Sequence, residues 1–478
     1  LDIFNSAISL PLASVLLSTG NHNNKEVASM KFRIVAMAAI LGLVAASAAL
    51  AGPNHSDLIT GPFKSGPEVT AKCLECHQKQ AADFMKTPHW TWSDEQVVNG
   101  EKRVIGKKNV INNFCIAVPS NEPRCTVCHA GYGYKNSQYD FAKAENVDCL
   151  ACHDTTGTYK KVFPEVAPDP KIDLTKAAQS VGKTSRKSCG SCHFYGGGGD
   201  HIKHGDLDSS MTDPAAEIDV HMGGKSKMTC TDCHKTKDHV IRGESLLVSQ
   251  GDKTRVGCAD CHDKPEIHKN AALNRHAKKV ACQTCHIPAI AKALPTKVWW
   301  DWSKAGRDIK PEKDAFGMDT YAKIKGEFKW NRDFSPEYFW YNGKVDRTLP
   351  GDKIDPGKVV ELNRPLGDRG DPNARIAPFK VMRGKQPYDS GNQTMAYVHL
   401  FGGYWKHFDW GKAVEDGMKA AGMPYSGKYG FVETSMVWRV NHMVVPKEKA
   451  LKCADCHGAK GRLDWKALGY AGDPMKKK

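Results

Sequence analysis

Ile111-Asn-Asn-Phe-Cys115-Ile-Ala-Val-Pro-Ser-Asn-Glu-Pro-Arg-Cys125-Thr-Val-Cys128-His129-Ala130 holds both kinds of cysteine present in this chain. It ends in a Cys-x-x-Cys-His motif at Cys125, Cys128 and His129. Ten residues earlier stands Cys115, the one cysteine of seventeen outside such a motif. The other motifs are Cys73/Cys76/His77, Cys149/Cys152/His153, Cys189/Cys192/His193, Cys230/Cys233/His234, Cys258/Cys261/His262, Cys282/Cys285/His286 and Cys453/Cys456/His457.

The spacing has a chemical reason. Two thiols three positions apart add across the two vinyl groups of one porphyrin, and the adjacent histidine becomes an axial ligand of its iron. One such pair alone could bind zinc or exchange disulfides. Eight pairs, each followed at once by His, point instead to eight covalently attached c-type haems. Successive first cysteines are 52, 24, 40, 41, 28, 24 and 171 residues apart. Seven sites therefore crowd into residues 73–286. The haems must supply much of the apolar core there, and this part should not fold without them.

Residues 1–29 read as an upstream extension and residues 30–51 as a signal peptide. Lys31 and Arg33 precede an apolar, Ala-rich run, and Ala49-Leu50-Ala51 fits a cleavage site after Ala51. Export agrees with haem attachment and implies a periplasmic protein. The run is short for a membrane span. Net charge is +15, from 68 basic and 53 acidic residues. The basic residues are scattered and no nucleic-acid-binding motif accompanies them, so nucleic acid is not expected as a partner. The excess offsets haem propionates, and what remains would attract anions and is compatible with peripheral membrane contact.

Twenty histidines are present, and His22 falls in the leader. Eight are proximal. The other eleven, His55, His89, His201, His204, His221, His239, His268, His276, His399, His407 and His442, exceed the eight distal positions. Bis-His haems have no open position and serve electron transfer. The favoured distal candidates are His89, His239, His268, His276 and His442, beside motifs, then His221 and one of His201 or His204, with His204 chosen. His55 and His407 read as surface or propionate-binding residues. On count alone, every haem could have two histidines.

Gly196 to Gly199 are four consecutive glycines, followed by Asp200-His201-Ile202-Lys203-His204. Either this is a flexible loop or the backbone approaches a haem or ligand closely, which glycine permits. Residues 52–286 form the seven-haem region, 287–450 a haem-free, aromatic-rich insertion, and 451–478 the eighth site and tail. The insertion holds Val298-Trp299-Trp300-Asp301-Trp302 and Glu337-Tyr338-Phe339-Trp340-Tyr341. The second run leads into Asn342-Gly343, a hairpin signal. A small sheet is expected there, with a helix over 411–421 and part-helical chain over 438–453. The fold class read from these features is a multihaem cytochrome c, mainly α-helical and coil around eight haems, with a small β-containing, loop-rich insertion.

The chain resembles the octahaem tetrathionate reductase family of periplasmic cytochromes, relatives of hydroxylamine oxidoreductase and octahaem nitrite reductase. The resemblance rests on the eight motifs, His89-Trp90-Thr91-Trp92, Asn112 with Cys115, Ala130-Gly131-Tyr132-Gly133 and Asp200-His201-Ile202-Lys203, and spans essentially the whole mature chain. It implies that the second haem is catalytic, with His129 proximal, Lys203 as distal ligand, and Asn112, Cys115 and Asp200 lining the pocket. All eight motifs here end in His, unlike the catalytic motif of octahaem nitrite reductases. Lys160 and Lys161 are rival ligands to Lys203. The expected function is a reductase that takes electrons from a periplasmic or membrane-bound donor and delivers them to a small oxyanion. Tetrathionate is favoured over nitrite and hydroxylamine. The rival reading is an electron-transfer protein with no substrate of its own.

Overall fold

Each Cys-x-x-Cys-His motif lies on a helical turn or runs into one. Cysteines at i and i+3 and histidine at i+4 then share one face, as one porphyrin requires. A computed structural model describes residues 54–245, 254–264 and 266–476. The leader read at 30–51 lies outside them. The first motif sits on α1, Gly66–Phe84, which Ser65 caps by accepting the Glu68 N–H, and the helix departs from regular geometry at His77. The fourth lies on α2, Arg186–His193, opened by a capping box at Ser185. The remaining turns are shorter, such as Leu150–His153, Cys282–His286 and Cys453–Cys456. The described helices around the motifs are too short to bury a large apolar stripe of their own.

Residues 287–450 are not a small sheet. They form an eight-stranded mixed sheet of β1 Thr296–Asp301, β2 Tyr321–Ala322, β3 Gly326–Asn331, β4 Glu337–Tyr341, β5 Val360–Glu361, β6 Arg375–Asp389, β7 Thr394–Met395 and β8 Tyr429–Arg439. The order is β5-β8-β6-β1-β3-β2, with β4 and β7 also paired to β6. The long pairing is β6 with β8, antiparallel from Phe379↔Arg439 to Asp389↔Tyr429. Strand β6 is buried along most of its length, as a strand covered on both faces must be. The aromatic runs Trp299–Trp302 and Tyr338–Tyr341 lie on or beside strands, where large side chains pack well. Asn342-Gly343 does turn the chain. Its flanking segments pair elsewhere, Glu337–Tyr341 with β6 and Val345–Arg347 with Asn363–Pro365, so no hairpin forms. The expected helix is present as α3, Trp410–Ala420. The expected helical stretch from 438 is instead the end of β8, followed by coil and one 3-10 turn at Lys447–Lys449.

The sheet reaches the opening stretch. Ile111, Phe114, Ile116 and Ala117 share one buried core with Trp300, Trp302, Phe328, Met382 and Trp438. Asn113 donates to the Met382 carbonyl at 2.7 Å, and Gln386 donates to the Asn112 carbonyl at 3.2 Å. Asn121 donates to the Val398 carbonyl and accepts from the Leu400 and Phe401 N–H groups. Among the described residues no helix is long and apolar enough to cross a membrane.

Candidate functional site: the second haem-attachment turn

Seven attachment histidines face a second imidazole. The pairs are His77/His55, His153/His239, His193/His89, His234/His442, His262/His221, His286/His268 and His457/His276, with ring centroids 6.1–6.4 Å apart. Two imidazoles bound end-on to one metal at about 2 Å place their ring centres roughly 6 Å apart. The seven gaps thus fit an iron each, and these histidines can hold seven bis-His haems. Several second nitrogens are already engaged: His153 donates to the Gly182 carbonyl, His234 to the Arg242 carbonyl, and His457 to the Asp473 carboxylate at 2.6 Å. Such bonds fix the tautomer and leave the other nitrogen for metal.

The turns are also close to one another. Thiols lie close enough to interact between the first and third sites (Cys73/Cys149), second and fourth (Cys128/Cys192), fourth and fifth (Cys189/Cys230), and sixth and seventh (Cys258/Cys282). Cys152 and Cys189, Cys233 and Cys261, and Cys285 and Cys456 are close enough for their charges to interact. These approaches join all eight sites into one connected set.

Cys76, Cys233, Cys261 and Cys453 are exposed, whereas the other twelve attachment cysteines are half-buried. At the first site the two thiols differ. Cys73 packs against the cluster of Ile59, Val69 and Leu150, while Cys76 lies outside it. Exposure leaves the thiol open to a vinyl group, so Cys76 keeps its role as an attachment residue.

Two histidine assignments are corrected. His55, set aside in the sequence, stacks opposite His77. His204, counted as a distal ligand, is buried against Trp438 at 5.4 Å and faces no motif histidine. The fourth position that it could have filled is taken by His89. His201 donates to the Pro295 carbonyl, and His399 to that of Ser120. His407 accepts the Asp409 N–H.

The exception among the motifs is His129. It is walled in by Trp90, Trp92, Tyr134, Tyr139 and Phe141, with ring centroids 5.2–5.9 Å away. Its Nε2, the nitrogen that His153, His234 and His457 leave for metal, is instead bonded to the Trp90 carbonyl at 2.6 Å, contrary to the proximal role expected of His129, and its Nδ1 is buried without a partner. Among the described residues no other histidine faces it. Lys203 is close enough to Cys128 for their charges to interact, and Cys115 is likewise close to Cys125. Each side chain packs on the glycine run. A Cβ on Gly197 would come within 2.9 Å of Lys203 Cβ, and one on Gly198 within 3.0 Å of Cys115 Sγ. Both glycines have positive φ, +87° and +104°, so conformation and space alike exclude side chains there. The run is a closely packed wall shared by lysine and thiol.

The rival lysines are occupied elsewhere. Lys161 is buried in an ion pair with Asp148 at 2.9 Å and donates to the His129 and Gly131 carbonyls. Lys160 pairs with Asp169. Asn112 lies beside the pocket, and its Oδ1 accepts the N–H groups of Phe114 and Cys115 at 3.1 and 3.0 Å, fixing the turn that presents the thiol. Asp200 is placed differently from expectation. Its carboxylate accepts the Ser209 N–H at 3.0 Å, which closes the loop after Lys203 rather than orienting the amine.

Burial brings the Lys203 pKa down to about 7, helped by the Lys107 cation, and so favours the neutral amine that a metal would need. Burial pushes the Cys115 thiol up, while Lys325, Lys297, Arg124 and Lys107 pull it back. Those cations were not singled out from the sequence. Lys297 is buried, which pushes its pKa well below the ordinary lysine value, and its Nζ lies 3.1, 4.0 and 4.7 Å from the ring centroids of Phe328, Trp300 and Trp330. Lys107 lies over Trp92 at 4.1 Å. A usable signal was present, since Lys297 directly precedes the Val298–Trp302 aromatic run.

Eight attachment turns with seven facing imidazole pairs define a multihaem c-type cytochrome. Comparison with known proteins agrees. Residues 72–154, holding the first three motifs, match the family described as cytochrome c554 and c-prime, and residues 297–460, holding most of the sheet and the eighth motif, match bacterial cytochrome c. The crystal structure of an octahaem cytochrome c from Shewanella oneidensis is 51% identical, with a TM-score of 0.85, covering 89% of this chain and 98% of that one. A protein of Archaeoglobus fulgidus described only as uncharacterised is 26% identical over 225 residues, 36% of this chain and 74% of that protein. The chain belongs to the octahaem cytochrome c family, and its cofactors are covalently bound c-type haems.

Proposed function

We propose that the protein is a periplasmic reductase in which seven bis-His haems pass electrons to the second haem, and that a small oxyanion of sulfur, tetrathionate first, is reduced there. The observation that carries this reading is the asymmetry at His129. Seven motif histidines have an imidazole opposite; at the second motif Lys203 lies near Cys128 and Cys115 near Cys125, among basic side chains. Thiol proximity links this site to the fourth.

When bound, the haem at Cys125 and Cys128 would supply electrons and one exchangeable coordination position. The chain's own groups do the rest. Lys203, kept neutral by burial, would be a ligand to that haem at rest and would take up a proton on leaving it. Lys325, Lys107 and Arg124 would draw in the tetrathionate dianion. Cys115 would attack the central S–S bond as thiolate, its proton passing to the Lys203 amine. This forms Cys–S–S–SO3⁻ and releases one thiosulfate. Two electrons then cleave the Cys–S bond, restoring the thiolate and releasing the second thiosulfate. Charge balances in both steps, at three negative charges on each side of the first and, with the two electrons counted, of the second. Nitrite and hydroxylamine are alternative substrates, since neither needs the thiol.

The cation cluster favours an enzyme over a carrier without a substrate. Turnover with a reduced viologen against tetrathionate, nitrite and hydroxylamine tests this. Tetrathionate consumption at enzymatic rates is expected. Oxidation of the reduced protein by none of the three would leave the electron-carrier reading standing.

A further inference from the structure

The loop that carries Lys203 is tied down at almost every residue. Asp200 accepts the Ser209 N–H, and His201 donates to the Pro295 carbonyl. The His204 carbonyl accepts from Thr296 Oγ1 at 2.8 Å, and that of Gly205 from the Ala291 N–H. Asp206 accepts the N–H groups of Asn441 and His442 at 2.7 and 2.9 Å. The remaining two carbonyls, Ile202 and Lys203, share one donor. That donor is Lys380 in the middle of β6, 1% exposed, with Nζ at 2.7 Å from the Ile202 oxygen and 3.0 Å from the Lys203 oxygen. Its third contact is Thr296 Oγ1 at 2.5 Å. Burial pushes its pKa well below the ordinary lysine value; when charged, each of its three N–H donors has an oxygen to meet. Asp206 is the nearby carboxylate whose charge acts on it. A buried cation is costly unless paired and bonded in this way.

Nothing in the sequence singles out Lys380, since it lies far from every motif. It grips the backbone of the very residue that must reach the second haem and leave it. We propose that Lys380 is a positioning residue: it clamps the Ile202–Lys203 backbone so that only the Lys203 side chain moves, and the amine returns to one place. This rests on the reading of Lys203 as the distal ligand. A mobile ligand on a mobile loop would exchange readily with water. A mobile side chain on a pinned backbone keeps a high local concentration at the metal.

The test uses fully haem-loaded ferric protein and electron paramagnetic resonance with near-infrared spectra. In Lys380→Met, the seven bis-His signals should persist while at least half of the lysine-ligated signal converts to a high-spin or water-ligated form. Thr296→Val, which removes one of the three oxygens and the tie to His204, should convert a smaller part in the same direction. Intact bis-His signals with an unchanged second-haem spectrum in Lys380→Met would overturn the clamp. So would a variant that merely melts earlier with that spectrum unchanged. Should Lys380→Met fail to assemble, an unchanged spectrum in Thr296→Val decides against it. Lys203→Ala separates the two ideas. If Lys203→Ala itself leaves the second haem unchanged, the ligand reading falls and the clamp with it. If Lys203→Ala changes it and Lys380→Met does not, the clamp alone falls.

Discussion

At seven attachment turns a motif histidine looks across 6.1–6.4 Å at another imidazole, whereas at the second His129 sits in an aromatic cage with no imidazole opposite among the described residues. The covalent pattern is the same at all eight sites, so the difference lies in what the rest of the fold brings near. The bis-His sites take their second ligands mostly from loops and turns of the haem-bearing region. The second site is built against the sheet: the Trp438 ring of β8 has its centroid 4.9 Å from the Lys203 amine, and Met382 and Gln386 of β6 anchor Asn113 and Asn112. Residues 287–450 are therefore less an insertion beside the haems than the floor of one of them.

The strongest way to break this contrast is Lys203→Ala. The ferric second haem should convert wholly to a high-spin or water-ligated form, with seven bis-His signals untouched, and tetrathionate turnover should fall by about 10²-fold. Cys115→Ser should lower tetrathionate turnover by roughly 10²-fold while nitrite turnover changes little. Equal retention of both activities would assign the thiol to packing. Lys325→Met should raise the tetrathionate KM about tenfold, the equivalent of 1.4 kcal/mol, and flatten its dependence on ionic strength. The smallest change expected sharpens the comparison within the bis-His set. Asp473 bonds His457, whereas His153 and His234 donate to backbone carbonyls. A carboxylate raises ligand basicity, so Asp473→Asn should raise the potential of the eighth haem alone. Each tenfold change in relative ferric affinity corresponds to about 59 mV, readable by spectropotentiometry.

Haem attachment was legible because its chemistry fixes five consecutive positions. How deep each thiol sits was not, since Cys73 is packed and Cys76 exposed within one motif. The second ligands were hidden too, because they are chosen by tertiary approach. His55 has no motif neighbour yet meets His77, while His204, one residue from the proposed ligand, packs on Trp438. The sheet was underestimated for the same reason. Asn342-Gly343 marks a turn correctly, but the partners of its flanking strands come from residues 363–365 and 375–379, which no local pattern names. Cys115 stood out because it is unpaired. Lys297 and Lys380 did not, because one buried lysine among 68 basic residues looks like any other until its surroundings are known.

The most direct test of the central claim is the electron paramagnetic resonance spectrum of the ferric, fully loaded protein before and after tetrathionate. Lysine at the second haem predicts seven bis-His signals and one distinct low-spin signal that alone changes when tetrathionate is added. Eight bis-His signals with no response would contradict it.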